Sequence, residues 1–241
     1  EIGPGRMLEP IELIERCSSL FQQGLLAGKN LVITGGPTRE AIDPVRYISN
    51  NSSGKMAFAL AAEAANAGAK VTLISGPVAQ QTPPRVKRIN VESAEDMLAK
   101  VMEFRSEMDI FIGVAAVADY RPAKVAEEKI KKDGETINLS LIKNPDIISK
   151  VSTLTEKPFT VGFAAETNSV VVNGRKKLHK KKLDLLFANN AIDTFNSDSI
   201  TVTAIDQNSE HQLGPANKSV VARKMIELIS AALQENVRQN P

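Results

Sequence analysis

Residues 31–56, LVITGGPTREAIDPVRYISNNSSGKM, hold an apolar strand, a glycine turn, a loop carrying Asp43 and Arg46, and a second small-residue turn in one run. Leu31 to Thr34 reads as a short buried strand that Gly35-Gly36-Pro37 must leave sharply. Ser52-Ser53-Gly54 then leads into the alanine-rich pattern from Met56 to Ala67, which reads as a helix. The N–H groups at such a helix start are unpaired and carry partial positive charge, so Ser52, Ser53, Gly54 and Lys55 form a cradle suited to a phosphate. Neither G-x-x-x-x-G-K-[ST] nor G-x-G-x-x-G is present, and glycines alone serve tight turns equally well. The polar residues between the turns (Thr38, Arg39, Asp43, Arg46, Ser49, Asn50 and Asn51) exceed what a connection needs, and long structured loops in compact domains are usually functional.

Outward from this run, strands and helices alternate. Lys70–Ser75 and Val86–Val91 read as strands, Ser93 caps a helix over Ala94–Glu103 with Asp96 as its capping-box partner, and Met108–Val114 is a strongly apolar strand. Its extension, AAVADYRPAK, is expected at the carboxyl edge of the sheet, where open α/β sheets bind ligands. Between Pro122 and Lys143 a charged stretch breaks the pattern, with a turn at Asp133-Gly134 and an expected strand over Ile137–Ile142. Asn144 is then expected to cap a helix with Pro145 in its first turn. Phe159–Ala164, Leu185–Ala188 and Ser199–Ile205 read as strands, and 169–182 and 219–233 as helices. The order predicts a Rossmann-like α/β fold: a mostly parallel sheet with helices on both faces, plus a small strand or flap excursion. Residues 1–27 read as a linker and an N-terminal helix (Ile11–Leu25), cut from something longer, and 28–241 as one domain.

The 241 residues, 42% hydrophobic and 24% charged, can bury a full core, and a net charge of +2 does not point to nucleic acid or a membrane surface. No segment approaches the roughly 20 apolar residues needed to span a bilayer. A single Cys17 excludes an internal disulfide and a multi-cysteine zinc site, and a reducing, cytoplasmic setting is expected. With only His179 and His211, both amid polar neighbours, a Ser-His-Asp triad or histidine-rich metal centre has little material. Carboxamides, lysines, arginines and carboxylates remain. They suit a reaction in which the protein positions two substrates and stabilises charge without becoming a covalent participant.

An NAD(P)-dependent oxidoreductase is suggested by Tyr120-x-x-x-Lys124, but Pro122 between them argues against a shared helix face. The second strand also ends without the acidic residue that holds an adenosine ribose. The basic run Arg175–Lys182 reads as a solvated helix face. Lys177 and Lys181 project together from one turn, yet no interleaved aromatics support base stacking. A nucleotide-binding sensor module is the alternative from a different class.

Taken in order, ITGGPTREAIDPVRYISNNSSGKM, AAVADYRP, EKIKK, LIKNPDI, VGFAAET and LDLLFANN make the chain resemble, over residues 28–233, the phosphopantothenoylcysteine synthetase domains of bacterial bifunctional coenzyme A biosynthesis proteins. The resemblance implies a CTP-dependent ligase over residues 28–241 that joins 4′-phosphopantothenate and L-cysteine through an acyl-cytidylate, releasing pyrophosphate and then CMP. It implies catalytic roles for Asn50, holding the acyl-cytidylate, and Lys129, neutralising charge during attack on the α-phosphate; the place of Lys129 in the charged excursion suggests a flap that closes over CTP. CTP contacts are expected at Ser52, Gly54, Gly113, Val114, Ala115, Asp119, Lys129, Asn144, Pro145, Asp146, Ile147, Phe163, Lys177 and Lys181, and phosphopantothenate contacts at Arg46 and Asn50. Lys177 and Lys181 suit either phosphate or base. Asp119 suits a ribose hydroxyl or Mg²⁺ carried by the triphosphate. A homodimer with the site near its interface is expected, with Ile137–Ile142 and Ser199–Ile205 as strands able to pair, and a fused decarboxylase half holding FMN. Ala57 stands where the family often has glycine, so packing at that helix start is expected to differ.

Overall fold

A computed structural model describes residues 24–132, 134–166, 169–190 and 199–239, together with Pro10 and Leu13. The expected linker and most of the helix over Ile11–Leu25 lie outside the described residues, as does Asp133 of the expected turn; Leu25 itself is in a turn before the first strand. The strands are β1 (Asn30–Gly35), β2 (Arg39–Ala41), β3 (Tyr47–Ser49), β4 (Lys70–Ser75), β5 (Val86–Asn90), β6 (Ile110–Gly113), β7 (Tyr120–Pro122), β8 (Leu141–Lys143), β9 (Phe159–Glu166), β10 (Leu185–Asn190), β11 (Ser199–Ile205) and β12 (Glu210–Asn217). The helices are α1 (Lys55–Asn66), α2 (Ala94–Glu103), α3 (Ile147–Val151), α4 (Val170–Lys180) and α5 (Lys218–Gln239).

An eight-stranded sheet runs in the order β12-β11-β10-β9-β6-β1-β4-β5, parallel from β10 through β5 and antiparallel at β11 and β12. Its central strands are apolar on both faces, as a sheet covered on both sides requires. Leu31, Ile33, Ile110 and Ile112 join the core under α1 and α5, whereas Val32 and Phe111, pointing the other way, join the core under α2 and α3. A third cluster packs α4 through Leu178 against Leu186 and Ala188. Among the described residues no helix is long and apolar enough to cross a membrane.

Helix α1 buries Met56, Ala57, Phe58, Leu60, Ala61, Ala64 and Ala65, and this alanine-rich face lets it lie close to the sheet. A Cβ placed on Gly35 would stand 2.5 Å from the Ala57 methyl. The methyl of Ala57 is therefore accommodated because residue 35 has no side chain. The helix opens at Gly54, whose φ of 74° is left-handed and favours glycine.

Ser93 and Asp96 form the expected reciprocal capping box on α2. Three expectations are corrected. Asp146, not Asn144, caps α3: its carboxylate accepts the Ser149 N–H at 3.2 Å, while the Asn144 side chain donates to the Ala118 carbonyl at 2.8 Å. The excursion strand is shorter than Ile137–Ile142: β8 pairs with β7 only over Tyr120–Pro122, and one further bond, from Ala123 N to the Ser140 carbonyl at 2.9 Å, continues the ribbon. Strand β11 offers no free edge for pairing between subunits, since β10 and the unanticipated β12 flank it.

The β2–β3 hairpin stands off the sheet and is anchored over the start of α2. Glu40, 2% exposed, accepts the Ala94 N–H at 3.0 Å, and Arg39 N donates to the Glu92 carbonyl at 2.8 Å. A carboxylate at a helix N-terminus is stabilised by the helix dipole, which offsets the burial of Glu40. Gly35→Ala is expected to destabilise the fold by about 1–3 kcal/mol through overpacking, with Ala57→Gly in the same chain recovering part of the loss. Urea midpoints of the two single variants and the double variant measure both effects.

Candidate functional site

Strand β1 is the switch point of the sheet: β4 and β5 extend from one side of it, and β6, β9 and β10 from the other. The loops after β1 and β6 leave the same edge and run together, with Ala116 N donating to the Gly36 carbonyl at 2.9 Å and Thr38 N to the Ala116 carbonyl at 3.3 Å. They form a septum. Thr38, fully buried, accepts the Ala118 N–H on its hydroxyl at 3.0 Å, and Asn144 grips the far side of the same segment through Ala118 O.

One cavity of about 570 Å³ lies between the septum, α3 and the end of α4. Phe111, Gly162, Ile148, Leu183 and Leu186 give it apolar walls, and Asp119, Lys143, Asn144, Asp146, Lys177 and Lys181 bring charge and hydrogen-bonding groups. Of the expected nucleotide contacts it gathers Gly113, Ala115, Asp119, Asn144, Pro145, Asp146, Ile147, Phe163, Lys177 and Lys181. Lys181 is ion-paired to Asp146 at 3.0 Å. Burial pushes the Asp146 pKa up, but the bonds from Lys181 and Ser149 outweigh it and leave the carboxyl below its ordinary value. Lys143 also lines this cavity; it went unread because β8 looked like part of a charged surface stretch.

A second cavity of about 510 Å³ lies on the other side of the septum, and both cavities include Ala116 and Phe163 in their walls. Asn50, Ser52, Ser53, Gly54 and Lys55 line it, with Val114, Asn189 and Lys218. Ser52, Gly54 and Val114, expected with the other nucleotide contacts, therefore sit beside Asn50 instead. Asn50 stands at the junction: its Nδ2 donates to the Ala116 carbonyl at 2.9 Å, and Ser49 Oγ donates to the Thr38 carbonyl at 2.7 Å. Asn189, 4% exposed at the end of β10, and Lys218 at the start of α5 were missed. The LFANN pattern marks a strand end, but no local spacing links residues 189 and 218 to residue 50.

Arg46 and Lys129 line neither cavity. Arg46 is ion-paired to Asp43, and its guanidinium holds the Asp43 carboxyl far below the usual carboxylate range against the smaller upward push of burial. Lys129 lies exposed in the excursion. Arg121 braces the first cavity from outside, donating to Asn144 Oδ1 at 3.0 Å and pairing with Glu95 at 2.7 Å. Tyr120 and Pro122 lie in a strand, so Tyr120 and Lys124 share no helix face and the dehydrogenase pairing is not made.

A sequence profile of the family described as DNA/pantothenate metabolism flavoprotein C-terminal domain matches residues 26–233. The coenzyme A biosynthesis bifunctional protein CoaBC of Vibrio vulnificus strain CMCP6 is 52% identical over 239 residues, covering 97% of this chain and 60% of that protein. The protein of the same description from Escherichia coli strain K12 is 45% identical over 247 residues, covering 99% of this chain and 61% of its own length. A crystal structure of the C-terminal domain of coenzyme A biosynthesis bifunctional protein CoaBC superposes with a TM-score of 0.77 at 37% identity, covering 88% of this chain and 100% of that one. The chain thus spans about 60% of the length of the curated relatives it matches.

Asp146→Asn keeps a good cap for α3 but loses the pair with Lys181, so a stability loss of about 0–1 kcal/mol is expected at neutral pH. Because the folded pKa is depressed, the pair's contribution is full above the unfolded value of about 3.9 and disappears as pH falls from there through the folded value. Urea midpoints of both proteins at pH 7 and in the acid range check this: the difference must shrink on acidification.

Proposed function

The chain belongs to the DNA/pantothenate metabolism flavoprotein C-terminal domain family, and on that premise we propose that it is the ligase joining 4′-phosphopantothenate to L-cysteine in the cytoplasm, with CTP as activating co-substrate. The carrying observation is the pair of cavities meeting at Ala116 and Phe163, with Asn50 at the junction. A reaction that first joins two large substrates needs two adjoining pockets whose reactive ends converge.

The first cavity, within the usual size range of small-molecule pockets, takes CTP. Lys177 and Lys181 face the triphosphate or the base, and Asp146 must share Lys181 with the incoming nucleotide. The backbone at Gly113 and Ala115 allows close approach, and Phe163 supplies an apolar face at the junction. The second cavity takes phosphopantothenate, whose phosphate is held by the start of α1 at Ser52, Ser53 and Gly54, with Arg46 as a further candidate. Supporting this division, Ser52 and Gly54 line the same cavity as Asn50.

The substrate carboxylate oxygen attacks the α-phosphorus of CTP and pyrophosphate leaves, giving an acyl-cytidylate. The cysteine amine then attacks the acyl carbon, CMP leaves, and the nitrogen loses a proton as the amide forms. Lys129 neutralises charge in the first step. Asn50, a neutral donor that cannot itself trap the intermediate, holds the acyl group for the second. Among the described residues no group of three or more His, Cys, Asp or Glu side chains is placed to hold a metal ion. Mg²⁺ enters with the triphosphate, whose negative charges it neutralises, and Asp119 is its candidate single protein ligand.

The reading extends to a homodimer. Val45, Tyr47, Tyr120, Val125, Ile137 and Leu141, all at least 44% exposed, lie on the hairpin, the β7–β8 ribbon and the excursion between them, and this apolar surface supports pairing there. A decarboxylase half holding FMN is proposed for the remainder of the full-length protein.

The purified chain, given Mg²⁺, CTP and 4′-phosphopantothenate, is expected to release pyrophosphate once per site, and to sustain release only with L-cysteine. Lys129→Gln should slow the initial burst by about 10²–10³-fold, whereas Asn50→Ala should spare the burst and slow turnover with cysteine. CTP binding without any release from folded protein would leave a nucleotide-binding module in place of the ligase.

A further inference from the structure

Arg46 and Lys129 stand outside both cavities, yet one carboxylate connects them. The Asp43 side chain is 0% exposed at the turn between β2 and β3. Its Oδ1 accepts the N–H groups of Val45 and Arg46, each at 2.9 Å, an arrangement that local turn formation explains by itself. Its Oδ2 has a different set of partners. It accepts from the Arg46 guanidinium, through Nε at 3.0 Å and through Nη2, and from the backbone N–H of Ile130 at 3.1 Å, 87 residues away in sequence. Arg46 Nη2 in turn donates to the Ile130 carbonyl at 3.0 Å.

Ile130 is therefore gripped on both sides, its N–H by Asp43 and its carbonyl by Arg46. That N–H belongs to the peptide bond joining it to Lys129. Upstream, Ala126 N donates to the Ile42 carbonyl at 3.0 Å, so residues 126 and 130 are both tied to the hairpin and Lys129 stands between the ties. The Lys129 side chain remains exposed. A lysine with a fixed backbone and a solvated ammonium loses less freedom on meeting a developing negative charge than one on an untethered loop.

We propose that Asp43 is a positioning residue for Lys129, acting through the clamp that its Oδ2 and Arg46 form on Ile130. A hairpin turn needs only the Oδ1 bonds; the Oδ2 bonds and the buried charge are explained by the clamp. The Arg46 side chain is 41% exposed, so it stays accessible to a substrate anion while it holds Ile130. The proposal rests on the ligase reading and adds a residue to it that neither cavity contains.

Asp43→Asn tests it, because the carboxamide keeps an acceptor for the turn while its amino group cannot accept from Ile130 or Arg46. With CTP alone, binding should change by less than about twofold, while the pyrophosphate burst should slow by about 10²-fold. If Asp43 acts through Lys129, Asp43→Asn placed on Lys129→Gln should slow the burst no further. An unchanged burst in Asp43→Asn, or a full further slowing in the double variant, would overturn the proposal. Amide hydrogen exchange at Ile130 reads the clamp without turnover: it should be slow in the wild-type chain and at least about tenfold faster in Asp43→Asn, and equal rates would overturn the clamp. If wild type releases no pyrophosphate, the ligase reading and the role assigned to Lys129 both fall, whatever the exchange shows. Should Asp43→Asn not fold, Asp43→Ser, which keeps a short acceptor for the turn, takes its place in every arm.

Discussion

Parallel pairing of β1 with β6 at the centre of the sheet constrains everything that bears on function. Their register runs from Leu31 opposite Ile110 to Thr34 opposite Gly113, and both strands end at the same edge. Two chain segments must therefore leave side by side. They stay hydrogen-bonded beyond the sheet through Gly36, Ala116 and Thr38, because a backbone emerging from a buried edge needs partners for its polar groups. The septum they make divides one crevice into two cavities that still touch at Ala116 and Phe163. In open α/β sheets ligands bind in the crevice outside the carboxyl ends of the strands, at the switch point, which is where both cavities lie.

A second constraint comes from the β2–β3 hairpin, which carries Asp43, Arg46 and Asn50 away from the sheet and returns Asn50 to the septum. Anchoring it requires buried charge. Glu40 is matched by a helix-start N–H and Asp43 by a guanidinium and three backbone N–H groups, so neither is buried without compensation. Both acids act over long sequence separations, Glu40 to residue 94 and Asp43 to residue 130. The hairpin thus joins the first helix of one face to the excursion, and the proposed chemistry is shared between the sheet edge and this outlying ribbon.

Where a sequence signal was local and periodic, it was legible. The span of α2, its capping box and the span of β4 match the expectation residue for residue, because a run of alternating or helical apolar positions has one low-energy way to bury itself. Signals decided by competition were not legible. Asn144 and Asp146 are both good caps, and Asn144 lost that role because its carboxamide reaches the septum and Arg121. Strand β12 was unreadable as such because Gly214-Pro215 sits within it, opposite an irregular register between Ile200 and Val202. Ile137 and Leu139 have strand-like side chains, but the ribbon's last backbone bond joins Ala123 to Ser140, and both side chains stay exposed.

The amino-acid sequence by itself determined the fold class, the strand-end location of the polar loops and the kinds of groups available for chemistry, since these depend on hydrophobic period and composition alone. It also marked most of the first cavity through motifs lying at strand ends and helix starts. Tertiary structure alone decided that Lys177 and Lys181 lie in a different cavity from Asn50, Ser52 and Gly54; that Asn189 and Lys218 join Asn50; and that Asp43 and Arg46 hold Ile130, the neighbour of Lys129. Those pairings depend on which strands are neighbours and on where each loop leaves the sheet, and chain positions tens of residues apart carry no local signal of either.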